Sequence, residues 1–128
     1  MNINPMSSSV APRIKLVDTV FDPNTGSKEI HYSKQGSQTL YKVWLRLDGP
    51  ELPYVRGVTY KLHPTFNNPE RFVARTPSNP NCTLSIWTWG IFDVEAEIMT
   101  KDGERQIVVH PLRYDRELRK EGIQFKEE

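Results

Sequence analysis

The sequence predicts an all-β fold: an immunoglobulin-like antiparallel β-sandwich of about seven or eight strands with a short C-terminal helix or tail. Three observations predict it. Apolar and polar residues alternate over short stretches, turn residues break the chain at fairly even spacing, and strands never alternate with helices as a parallel sheet would require. At 128 residues the chain makes one domain around a single core.

Each element follows in order. The opening "MNINPMSSSVAP" is rich in Ser, Asn and Pro without an apolar period, so residues 1–12 read as a flexible lead-in. In "RIKLVDTVF", Ile14, Leu16, Asp18 and Val20 share one strand face. "DPNTG" is a turn, and "KEIHYSKQGSQT" is polar and short of hydrophobic anchors. "LYKVWLRLD" sets Tyr41, Val43, Leu45 and Leu47 against Lys42, Trp44, Arg46 and Asp48, a strand that "GPELP" stops. "VRGVTYKL" is a further strand and runs into "HPTFNNP", whose prolines cannot continue a central strand. "RFVART", "CTLSIWTW", "IFDVEAEIMT" and "ERQIVVHPL" complete the set, with a break at Gly90 and a hairpin turn at "KDG". The folded domain therefore spans 13–112, and the charged stretch 113–128 reads as a short helix or solvated tail with Gly122 as a stop.

Composition excludes several classes of function. Seventeen basic against sixteen acidic residues give a net charge of +1, too little for a field that draws nucleic acid or an anionic membrane. No apolar run reaches the roughly 18 residues of a membrane span. The lone Cys82 and the separated His31, His63 and His110 offer neither a disulfide nor a zinc site, and no cofactor motif is present. These features point to a reducing, cytoplasmic setting, or a nuclear one in a eukaryote. No nucleophile and base stand in a recognisable arrangement, so no enzyme activity is expected. Asp93, Glu95 and Glu97 share a face opposite Val94, Ala96 and Ile98, which is the pattern of a solvated strand face.

Aromatic and hydroxyl side chains concentrate in "LHPTF" and "TWGIF", two segments that lie in loops between strands. Together with "YKVWLRLDGPE" and the strand pattern over about residues 40–110, they resemble the YEATS domain, in its prokaryotic branch. His63, Thr65 and Phe66 match a His-x-(Ser/Thr)-Phe motif. Trp89, Gly90 and Phe92 match Gly-(Trp/Tyr)-(Gly/Ala)-x-Phe, with Thr88 in place of its first glycine.

The resemblance implies a reader module for acylated lysine in a protein or peptide, crotonyl favoured over acetyl. The flat acyl-amide would enter a slot between Phe66 and Trp89, and Thr65 with the Trp89–Gly90 backbone would clamp the amide. His63 would flank the slot, while Thr88 would narrow or cap it. Trp87 and Phe92 are read as packing residues. An acidic residue that holds histone tails in eukaryotic readers has no counterpart at His110–Pro111, so histone specificity does not carry over. Prokaryotic relatives occur fused to signalling, membrane or effector domains, which makes such domains expected partners. Two alternatives remain: a scaffolding or interaction module that has kept the fold without acyl-lysine binding, and a small enzyme using His63.

Overall fold

In the computed structural model, which describes residues 13–128, nine strands form two sheets packed face to face as an immunoglobulin-like sandwich. The proposed lead-in 1–12 lies outside the described residues. The strands are β1 (Lys15–Thr19), β2 (Glu29–Gln35), β3 (Gln38–Asp48), β4 (Val55–Lys61), β5 (Glu70–Ala74), β6 (Leu84–Thr88), β7 (Asp93–Thr100), β8 (Arg105–Pro111) and β9 (Gln124–Glu127). The first sheet runs β1-β3-β2-β9, with β6 added to β3; the second runs β5-β4-β7-β8.

Alternation places the core where the sequence put it. Val43, Leu45 and Leu47 of β3 meet Val94, Ala96 and Ile98 of β7 in one buried cluster. Their polar neighbours face outward: Lys61 pairs with Glu95 at 3.3 Å and Arg105 with Glu97 at 3.6 Å, so these carboxylates are ion-paired on a sheet surface. On β1, Ile14, Leu16 and Val20 are buried as the parity requires, and Asp18 follows them inward. A carboxylate in that place needs donors. It finds His110 Nε2 at 2.6 Å and the Arg113 N–H at 2.9 Å, which joins β1 to the end of β8.

Two segments depart from the sequence reading. "KEIHYSKQGSQT" forms β2, a tight turn at Gly36 (φ 63°) and the start of β3, anchored on the core by Ile30 alone. The C-terminal stretch is a short 3-10 helix, within the expected alternatives, but it is no solvated tail and it continues into a strand. A 3-10 turn, Tyr114–Arg119, buries Tyr114 and packs Leu118 on the core; β9 then pairs in parallel with β2, Glu29 opposite Gln124 and Tyr32 opposite Glu127. The Glu117 carboxylate fixes this turn by accepting from the Thr19 hydroxyl (2.9 Å) and the Val20 N–H (2.8 Å).

One long-range bond organises the far loop. Tyr60, fully buried on β4, donates its hydroxyl to the Cys82 carbonyl at 2.6 Å, and Cys82 itself sits at a positive φ of 51°. Burial raises the Tyr60 phenol far above its ordinary range and the Cys82 thiol from 9.0 to about 11. Burial likewise raises Tyr114 from 10.0 to about 12. The neutral forms belong to the folded state, so their contribution is complete below the unfolded-state values and is lost as pH rises through 9–11 for Cys82 and 10–12 for Tyr114. Denaturant melts at stepped pH should therefore show stability falling on the alkaline side of 9.0, with Cys82 alkylated only on unfolding. At neutral pH, Tyr60→Phe should cost about 1–3 kcal/mol in urea unfolding, because it strands a buried carbonyl; an unchanged midpoint would remove this bond from the account.

Candidate functional site

The β4–β5 loop and the β6–β7 loop meet at one end of the sandwich. Between them lies an open cavity of about 340 Å³ lined by His63, Thr65 and Phe66 from one loop and Trp87 to Phe92 from the other. All six residues singled out for the slot, His63, Thr65, Phe66, Thr88, Trp89 and Gly90, border this space.

The first loop is short, prolyl and tied at both ends. Leu62 N–H donates to Pro69 O at 2.7 Å and Phe66 N–H to His63 O at 3.0 Å. Arg71 spends its guanidinium on the loop carbonyls, Nε to Asn68 O at 3.0 Å and Nη2 to Asn67 O at 2.9 Å, while its charge lies 5.9 Å from the centre of the Phe66 ring. Phe66 rests on Phe92 at 5.5 Å and His63 meets the same ring edge-on at 6.0 Å. Phe66 is therefore a half-buried wall with one face committed to packing.

His63 and Thr65 form a small hydrogen-bonded unit. The Thr65 N–H lies 3.2 Å from His63 Nδ1, and the Thr65 hydroxyl hydrogen-bonds the same nitrogen at 2.8 Å. A hydroxyl oxygen has two lone pairs, so Thr65 Oγ1 keeps at least one with which to accept an N–H.

On the second loop, β6 ends at Thr88 and the chain bends at Trp89 and Gly90. Thr88 faces inward and is 4% exposed. Its hydroxyl donates to Gly90 O and accepts from Gly90 N–H, both at 3.3 Å, so the β-branched side chain turns under the bend instead of filling the slot. Trp89 projects with 66% of its surface exposed, and among the described residues it makes no ring-on-ring contact. A Cβ built on Gly90 would meet nothing within 4 Å, and its φ is not in the left-handed region. Neither backbone strain nor protein packing requires glycine there.

Trp87 corrects the sequence reading. The sequence reading makes it a packing residue, with one of the two tryptophans in the core. In the structure, Ile86 and Thr88 take the inward positions of β6, while Trp87 lies half-buried on the outer sheet face opposite Lys42 and borders the cavity beside Trp89. Ile91, half exposed, is a second lining residue that the sequence did not single out; its only signal was its position inside the motif. Phe92 packs on the core and also forms part of the cavity wall.

The support for Gly90 comes from the C-terminal turn. Buried Tyr114 donates its hydroxyl to Gly90 O at 3.0 Å, and its raised pKa of about 12 keeps it a donor. Leu112 N–H, nearby in sequence, donates to Phe92 O at 3.1 Å. Tyr114→Phe should leave the fold intact, cost about 1 kcal/mol and accelerate amide hydrogen exchange at residues 88–92. Unchanged exchange there would show that the bend holds itself.

Comparison with known proteins agrees with this architecture. A family model described as "prokaryotic YEATS domain" matches residues 39–113, more than half of the chain. Transcription initiation factor TFIID subunit 14 of Schizosaccharomyces pombe is 36% identical over 73 residues, 56% of this chain; the match spans only 29% of the length of that subunit. Among solved structures, the yeast AF-9 homologue Yaf9 superposes with a TM-score of 0.55 at 22% identity, over 79% of this chain and 66% of that one. The Yaf9 YEATS domain recognising an H3K122suc peptide gives 0.54 at 19% identity, over 82% and 71%. At these identities the structural likeness speaks for the fold alone. The family-model match, spanning both loops of the cavity, shows that the chain belongs to the prokaryotic YEATS domain family.

Proposed function

We propose that the cavity between the two loops binds the acyl-amide of an acylated lysine in a protein or peptide, without catalysis. The observation that carries this reading is the meeting of an exposed indole, a half-buried phenyl ring, a hydroxyl with a spare acceptor lone pair and an unobstructed glycine around one open space. A secondary amide is planar, with a donor and an acceptor on opposite edges. Its N–H would meet Thr65 Oγ1, and its carbonyl would compete with Thr88 Oγ1 for the Gly90 N–H, which that hydroxyl engages only at 3.3 Å. The acyl chain would then lie between Phe66 and Trp89, with Ile91 extending the apolar wall. A cavity of about 340 Å³ suits one modified side chain, with the rest of the peptide outside. The Yaf9 YEATS domain recognising an H3K122suc peptide supports this class of ligand by kinship.

A second reading is favoured by a specific contact. Phe66 already packs on Phe92 at 5.5 Å while Trp89 stands free, so the two walls are not a preformed pair. On that reading the domain is a scaffolding or interaction module. Fusion to signalling or effector domains is compatible with both. Among the described residues no helix is long and apolar enough to cross a membrane, and no group of three or more His, Cys, Asp and Glu could hold a metal.

Calorimetric titration with acetyl-, crotonyl- and unmodified lysine peptides decides between the two. Binding should require the acyl group and be micromolar or weaker. Trp89→Ala and Phe66→Ala should each weaken it about tenfold or more. Gly90→Ala is the sharper variant. The added methyl meets no protein atom, so it should leave the thermal midpoint unchanged and still weaken acyl-peptide binding. Equal affinity for unmodified lysine, or none for any peptide, would leave the scaffold reading.

A further inference from the structure

The outer face of the first sheet carries a larger hollow, about 680 Å³, well apart from the slot in its lining residues. We propose that it is a binding site for an oxyanion, a phosphate or carboxylate group gripped by Arg46. β3 and β6 build its floor: Trp44 stands opposite Ser85 in the antiparallel register, and Arg46 and Thr83 follow just beyond the last pair, Leu45 with Leu84. Arg46 is half-buried, yet among the described residues none of its five donors has a hydrogen-bonding partner, and its Nε is fully shielded from solvent. Its nearest carboxylate, Asp48, is 3.9 Å from Nη1, beyond hydrogen-bond reach. The Nη groups are not shielded as Nε is, and together they present the planar edge of a fork that matches an oxyanion in bidentate fashion.

The wall of the hollow is rigid and chemically complementary. The 75–83 loop consumes its amides internally: Asn79 bonds both N–H and C=O of Thr83 at 2.8 and 3.0 Å, and Asn81 donates to Leu47 O at 2.9 Å. Tyr60 on Cys82 O and Arg75 on Pro80 O (3.0 Å) tie down the rest. By contrast the hydroxyls of Thr83 and Ser85 engage no partner among the described residues. Two hydroxyls without protein partners and a guanidinium fork therefore line one hollow whose wall is already ordered, a donor set suited to an oxyanion. The site is independent of acyl-lysine binding.

The experiment follows the Arg46 Nε–H by nuclear magnetic resonance in the whole chain at constant ionic strength. It compares sodium phosphate, a phosphoserine peptide and sodium acetate with chloride. A saturable shift with phosphate, phosphopeptide or acetate is the expected result, and which of them saturates at the lowest concentration identifies the source of the oxyanion. Arg46→Lys keeps the charge and loses the fork, and should weaken the response about fivefold or more. Ser85→Ala, read at the intact Arg46, should weaken it as well. Equal response to chloride, a response that never saturates, or full affinity in both variants would overturn the proposal. Acyl-lysine titration of Arg46→Lys should be unchanged.

Discussion

Strand β3 pairs with three others along its eleven residues: β2 at its start, β1 at its end, and β6 along the opposite edge. Its inward residues supply much of the core, and its outward residues supply Lys42, Trp44 and Arg46. Both candidate sites depend on this one strand. β6 is held in register by β3 and delivers the Trp89–Gly90 bend at one end, while its other end, with Thr83 and Ser85, borders the Arg46 hollow. A slip of one residue between β3 and β6 would turn Thr88 outward and Trp87 inward, and would dismantle both at once.

The bend at Gly90 depends on contacts far away in sequence. Thr88 holds it from below, Tyr114 from the side, and Leu112 fixes the adjoining Phe92 carbonyl. Tyr114 is in turn placed by the 3-10 turn that Glu117 locks to the end of β1, beside the Asp18–His110 pair. The C-terminal segment thus belongs to the machinery that shapes the cavity, although it contributes no lining residue.

Strands whose two faces differ strongly were legible in the sequence. β7 and most of β3 alternate between core and surface, Trp44 being the buried exception on the outer face, and the Lys-Asp-Gly turn links apolar runs in the expected way. β2 was not legible because Ile30 is its single core anchor, and β9 because all four of its residues are exposed and its pairing with β2 bridges nearly a hundred positions. The motif residues of the slot were legible as a set, since loops at one end of a sandwich converge. Trp87 was misjudged because a large ring on an edge strand can lie against the sheet's outer face, where its hydrophobicity does not reveal which side it takes. The bond from Tyr114 left no local pattern, being a tertiary hydrogen bond to a backbone carbonyl whose partner a sequence does not name.

The three tryptophans divide the surface between them. Trp89 stands at the cavity between the two loops, Trp87 lies at its rim on the outer sheet face, and Trp44 forms the floor of the Arg46 hollow beneath the Lys42 ammonium, 5.3 Å from its ring. With no other tryptophan in the chain, every indole adjoins one of these two places. The intrinsic fluorescence of the domain is consequently a two-channel optical record: quenching or a spectral shift from the solvated Trp89 reports the slot, and a change from the shielded, cation-covered Trp44 reports the hollow.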